Sequence, residues 1–202
     1  MKRFLCLFLI LFLSGCAIGR KTSYLGVGNF RAAYTLPVVT TIGVLDHRPY
    51  VLSGLKKPAY CGLIRSYTGI PYSMTTRSGK PLAFEMTMSI SETLRTRNGA
   101  DVRAVTLSET MSEDQAVDTL TRDEGKSLLF ILKDWQHDVY TRGKLIHHVK
   151  VLAIGPAGVL AETEKAGETE IDRKNPLRQA VAKALWDVIN APEIFGVMAP
   201  TD

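Results

Sequence analysis

The 202-residue chain has little cysteine, with only Cys6, Cys16 and Cys61, and even less acid before Glu85. Up to Phe84 the one carboxylate is Asp46, against eleven lysines and arginines. Three cysteines cannot build a disulfide framework, so the fold has to be held by its core. No apolar run approaches the roughly twenty residues that a helix needs to span a bilayer. The patterns Gly-x-Ser-x-Gly, His-Glu-x-x-His and Gly-x-x-x-x-Gly-Lys-[Ser/Thr] are all missing, which removes the motif-level grounds for a serine hydrolase, a zinc peptidase or a P-loop enzyme. Gly26-Val27-Gly28 lacks the third glycine and the preceding strand of a dinucleotide loop. The four histidines, His47, His137, His147 and His148, match no zinc spacing. His147 and His148 are neighbours on an expected strand and so face opposite sides. A His137 to His147 metal pair across a hairpin is geometrically open, but no metal or cofactor is expected. Asp134 and Asp138 read as a solvated strand end rather than a glycosidase pair.

The amino-terminal segment is distinctive. Lys2 and Arg3 precede the apolar run Phe4 to Leu13, and Ser14-Gly15-Cys16 follows. This is a basic n-region, an apolar h-region and a small-residue cleavage site, and the apolar run is about half the length of a stable span. Leu13-Ser14-Gly15-Cys16 resembles the lipobox of bacterial lipoproteins. The resemblance implies lipid transfer to the Cys16 thiol, cleavage before Cys16 and acylation, as with palmitate, of the new amine. The other reading is an ordinary secretory signal with an incidental cysteine. The expected organisation is a signal peptide over 1–15, a lipidated amino terminus and tether over 16–36, and one globular domain over 37–202. Within the tether, Tyr24, Leu25 and Phe30 are apolar enough for part of it to dock. Ala17, standing where inner-membrane lipoproteins carry aspartate, resembles the class sorted onward, so the expected location is the periplasmic face of the outer membrane. Cys61 is then the one free thiol and reads as a small semi-buried residue, not a nucleophile.

At 46 % apolar and 22 % charged residues, the domain has an ordinary globular composition. Val38 to Leu45 reads as a buried strand. Leu82, Met86, Ile90 and Leu94 recur every four residues between Pro81 and Gly99, which predicts a helix. A short strand follows from Asp101, and Ser112-Glu113-Asp114-Gln115 is a capping box opening a second helix. Ser127 to Asp138 reads as a long central strand, and two further strands are joined at Gly155 to Gly158. The stripe Leu177, Val181, Ala184, Leu185 and Val188 marks a last helix that Pro192 stops. The expected fold is α/β (α+β), a single mixed sheet of about five strands packed with about three helices. The element order and the run Leu128-Leu129-Phe130-Ile131-Leu132-Lys133-Asp134-Trp135 resemble the TolB amino-terminal-like domains of envelope lipoproteins, including the curli-secretion lipoprotein class.

Between His47 and Lys80 no element of standard length fits, because Gly and Pro interrupt the stretch throughout. It reads as a long loop, the kind of segment that is commonly functional. Cations and aromatics alternate there as Arg48, Tyr50, Tyr60, Arg65, Tyr67, Tyr72 and Arg77. Tyr and Arg dominate recognition surfaces, and Arg offers a planar fork to phosphate or carboxylate. The competing reading is that the tyrosines pack the loop onto the sheet. The expectation is a non-catalytic binding or assembly component of the cell envelope. Its partners would be the membrane, through lipid on Cys16, and an anionic envelope component or envelope protein, with no nucleic acid. An envelope-polymer-modifying enzyme without a recognisable motif is the alternative.

Overall fold

A computed structural model describes residues 20–24, 30–36, 39–122, 125–172 and 176–199, so Cys16 and the signal segment lie outside the described residues. The elements run β1 (Lys21–Thr22), β2 (Val39–Asp46), α1 (Pro49–Leu52), β3 (Tyr60–Arg65), β4 (Pro71–Thr76), α2 (Leu82–Asn98), β5 (Asp101–Thr106), α3 (Glu113–Thr121), β6 (Lys126–Val139), β7 (Gly143–Gly155), β8 (Gly158–Ile171), α4 (Leu177–Ile189) and α5 (Pro192–Met198). All eight strands join one mixed sheet.

β6 is the organising strand, as its unbroken apolar run suggests: Leu128 to Leu132 and Trp135 are fully buried. One of its edges carries β7 over nearly its whole length, antiparallel, and β7 in turn carries β8. The other edge is shared. β2 runs parallel to Lys126–Leu132 and leads out to β5, while β3 runs parallel to His137–Val139 and leads out to β4 and β1. Residues 133–136 separate the two limbs, and a bulge lies at this point of the β6–β7 ladder. β3 meets β6 very closely at Gly62, whose φ is +152° and where an added Cβ would lie 2.3 Å from the His137 carbonyl oxygen. Only glycine fits such an approach.

The sheet buries both faces. On the larger side, α2 presents Leu82, Met86, Ile90 and Leu94, all 2 % exposed or less, and α4 presents Val181, Ala184, Leu185 and Val188. Gly99 closes α2 in the left-handed conformation at φ 64°. On the smaller side, α3 sets Ala116 and Leu120 against Leu45, Leu129 and Ile131. The capping box of α3 forms as expected: Gln115 N–H donates to Ser112 Oγ at 3.2 Å, and Ser112 N–H donates to Gln115 Oε1 at 2.9 Å.

The mixed α/β class is as expected, but the counts differ. The sheet has eight strands rather than about five, and the described residues hold five helices rather than about three. The additional pieces come from three stretches. The expected loop contains the single turn α1 and the hairpin β3–β4, and the expected tether supplies β1. The end of the chain adds α5, for which Pro192 serves as the first-turn residue as well as the stop for α4. The described part of the tether packs onto the domain: Tyr24, Phe30, Ala32, Tyr34 and Leu36 are all buried in the main core, while Leu25 lies outside the described residues.

Candidate functional site

The gap between the two limbs of the sheet is filled by Arg48. Its side chain is fully buried, and its Nε and Nη2 donate to the two oxygens of the buried Asp46 carboxylate at 2.7 Å each. Nη1 donates to the carbonyls of Tyr60 at 2.7 Å and Trp135 at 3.1 Å, and Nη2 also reaches the Pro58 carbonyl at 3.3 Å. One planar fork thus takes over backbone acceptors that strand pairing does not reach at 133–136. The Tyr50 hydroxyl completes the joint by donating to Asp134 Oδ1 at 3.0 Å and lying 3.2 Å from the Trp135 carbonyl. Burial pushes the Tyr50 phenol up and the Tyr60 phenol up to about 12, so both stay neutral donors. Deleting one member of such a buried, hydrogen-bonded charge pair costs about 3–5 kcal/mol.

A second buried node fastens the amino-terminal segment. Trp135 Nε1 donates to the Tyr24 hydroxyl at 3.1 Å, and that hydroxyl is also hydrogen-bonded to His137 Nε2. Tyr24 N–H donates to Glu85 Oε2 at 2.8 Å, and the Ser78 hydroxyl donates to Glu85 Oε1 at 2.6 Å. Burial lowers His137 to about 4, so the ring is neutral at neutral pH. This Tyr-His-Trp cluster is enclosed, and its atoms hold one another. Cys61, fully buried on β3, has its thiol pushed up to about 12 by burial and is not a thiolate at neutral pH.

The residues named from the loop therefore separate. Arg48, Tyr50 and Tyr60 come together, but inside the fold, which corrects the expectation that Arg48 offers a contact to a partner. Arg65 forms a forked pair with Asp138, at 2.9 and 2.8 Å, and this interaction holds the Asp138 carboxyl below its ordinary value. Tyr67 is 100 % exposed at the turn of the β3–β4 hairpin. Tyr72 is half-buried on β4, and Arg77 is exposed just past its end. Two residues not singled out in the sequence join Tyr67. The Tyr140 hydroxyl, on the β6–β7 turn, donates to the Tyr67 carbonyl at 3.3 Å, and Ile70 stands half-exposed beside them. An aromatic at Tyr140, immediately before the turn at Thr141-Arg142-Gly143, was the available signal.

Surface cavities also lie elsewhere. One of about 480 Å³ runs beside α1 between Val51, Leu52, Lys57 and Glu109. Another of about 640 Å³ lies between β8 and α4, where His147, Gly167, Lys183 and Asp187 line it. Among the described residues no group of three or more His, Cys, Asp or Glu is placed to hold a metal, and no helix is long and apolar enough to cross a membrane.

No family model and no curated protein matches the chain. Solved structures do. A DUF330-family protein of Xanthomonas campestris superposes with a TM-score of 0.51 at 10 % identity, over 87 % of this chain and 96 % of that one. A lipoprotein of Neisseria meningitidis is matched with a TM-score of 0.27 at 12 % identity, over 74 % of this chain and 95 % of that one. The likeness to the Xanthomonas protein is one of fold: the same single-sheet α/β architecture extends over nearly its whole length.

Proposed function

We propose that the chain is a membrane-anchored envelope lipoprotein, held by lipid on Cys16 at the periplasmic face of the outer membrane, and that it acts by binding and assembly rather than by bond chemistry. The observation that carries this reading is the order Leu13-Ser14-Gly15-Cys16 directly after a ten-residue apolar run and a basic start. The manner in which the following segment is built supports it. β1 pairs with β4, and Tyr24 is locked to Trp135, His137 and Glu85, so a pull on Cys16 would be borne by the fold rather than by a slack linker. The candidate chemical groups of the interior, His137, Tyr24 and Cys61, are buried and occupied in holding the fold. Partner contact falls instead to exposed groups of the β3–β4 limb, Tyr67 and Arg77 among them, toward an anionic envelope component or an envelope protein.

Labelling intact cells with a fatty-acid analogue tests the anchor. The wild-type chain takes up label, while Cys16→Ser stays unlabelled and accumulates unprocessed or soluble, because a hydroxyl does not replace the thiol in the transfer. Equal labelling of the two would overturn the reading.

A further inference from the structure

We infer that the turn of the β3–β4 hairpin and the adjoining β6–β7 turn, with Tyr67, Ile70 and Tyr140, form a membrane-contacting edge that enters the headgroup region of the bilayer holding Cys16. This rests on the lipid-anchor reading and adds to it the face with which the domain meets the membrane.

The argument is one of reach. Four peptide steps separate Cys16 from Arg20, at most about 14 Å even when fully extended. Arg20 is already fixed: its carbonyl accepts the Thr75 N–H at 3.2 Å, and Lys21 lies in register with Thr75. Through Met74 opposite Gly62, and Gly62 opposite His137, this level of the sheet corresponds to His137 on β6. Val139, where β6 ends at the two turns, is two residues further on, about 7 Å along a strand. The opposite end of β6, where Ser127 faces Ile154 near the β7–β8 turn, is ten residues back, about 33 Å. A bilayer surface that lies across the strand ends within about 14 Å of Arg20 meets the first end, and the second then stands about 33 Å away from that level.

The end within reach carries the appropriate chemistry. Tyr67 is 100 %, Ile70 53 % and Tyr140 50 % exposed, and the hydrogen bond from the Tyr140 hydroxyl to the Tyr67 carbonyl joins the two turns. Tyrosine, with an apolar ring and a polar tip, is enriched at the interface between water and hydrocarbon. Arg65 brings no free charge to this edge, since Asp138 neutralises it. Glu170, across from Lys144, and Asp172, just past the Ile171 that faces Gly143, belong to the β8 side of the same end, so contact by way of the hairpin leaves them in water. Exposed apolar residues also occur at the far end, Val159 at 48 % and Leu160 at 43 %. Exposure alone therefore does not choose between the ends, whereas reach does.

The test uses the full chain, lipidated in cells and reconstituted into phosphatidylcholine vesicles whose acyl chains are brominated to quench tryptophan. In a Trp186→Phe background, Tyr67→Trp and Leu160→Trp are compared; both positions are exposed, so neither change disturbs the core. After subtraction of the Trp135 emission measured in the Trp186→Phe parent, the expected result is several-fold quenching for Tyr67→Trp and fluorescence for Leu160→Trp close to that in unbrominated vesicles. Unquenched Tyr67→Trp in protein that floats with the vesicles, or stronger quenching at Leu160→Trp, overturns the inference while the lipid anchor stands. Wild-type protein that neither takes up fatty-acid label nor floats with the vesicles overturns both.

Discussion

Arg48 and Arg65 belong to the same stretch of Arg, Tyr, Gly and Pro, yet the first is fully buried and the second keeps a third of its side chain in water. The difference lies in what each guanidinium faces. Arg48 meets a break in strand pairing where three carbonyls and a buried carboxylate need donors, whereas Arg65 meets one carboxylate at a strand end. Five fixed donors in a plane suit the first place, and a partly solvated pair of the second kind contributes little to stability. A cation-rich, aromatic-rich stretch can thus be framework at one end and presented surface at the other.

Breaking the buried end has the largest expected effect. Arg48→Gln leaves Asp46 charged and unpaired and strips three carbonyls, and should destabilise by about 3–5 kcal/mol, read as a drop in the denaturant midpoint; a change below about 0.5 kcal/mol, the usual surface value, removes the framework role. Leu185→Ala, in the buried stripe of α4, calibrates the scale at about 2–5 kcal/mol through lost burial and a cavity. Lys183→Ala on the same helix, whose exposed side chain pairs with Asp187, should cost under about 0.5 kcal/mol.

The node beside Arg48 should give the comparison a pH signature. His137 is held at about 4 in the folded chain by burial, against an ordinary value of 6.5. Below 6.5 the unfolded chain takes up a proton that the folded chain refuses, so stability should fall as the pH drops from 6.5 to about 4, where the His137 contribution levels off. The full loss is about 3 kcal/mol. His147, also lowered by burial, acts in the same direction. His137→Gln should lower stability at neutral pH and flatten this window in melts taken across it; an unchanged slope would remove His137 as the cause. The smallest effect belongs to the presented end: Tyr67→Ser should shift stability by less than about 0.5 kcal/mol, and a larger loss in the same melts would mean that the turn packs.

Periodicity made the main elements legible. The four-residue recurrence of Leu82, Met86, Ile90 and Leu94, the capping box at Ser112 and the apolar run of β6 each state a local preference that tertiary packing then uses. The hairpin β3–β4 was not legible, because Tyr60–Arg65 contains Gly62 and Pro71–Thr76 begins on proline, both of which read as interruptions. Gly62 is there for the close approach to His137, a contact 75 residues away that no local pattern announces. Arg48 was misplaced for the same reason: its partners Tyr60 and Trp135 are distant in sequence, and composition alone cannot distinguish an arginine serving the backbone from one serving a ligand. Tyr67, the one member of the proposed site that proved fully exposed, was legible as an aromatic beside a Gly-Ile-Pro turn.

Amide hydrogen exchange along residues 47–80 of the native protein tests the division of this segment most directly. The account predicts slow exchange for His47, Leu52 and Thr76, whose N–H groups donate to Leu132, Arg48 and Ala59, and fast exchange for the turn amides of Tyr67 and Thr68. Uniformly fast exchange from 47 to 80 would contradict it, returning the whole stretch to a mobile loop and Arg48 to the surface.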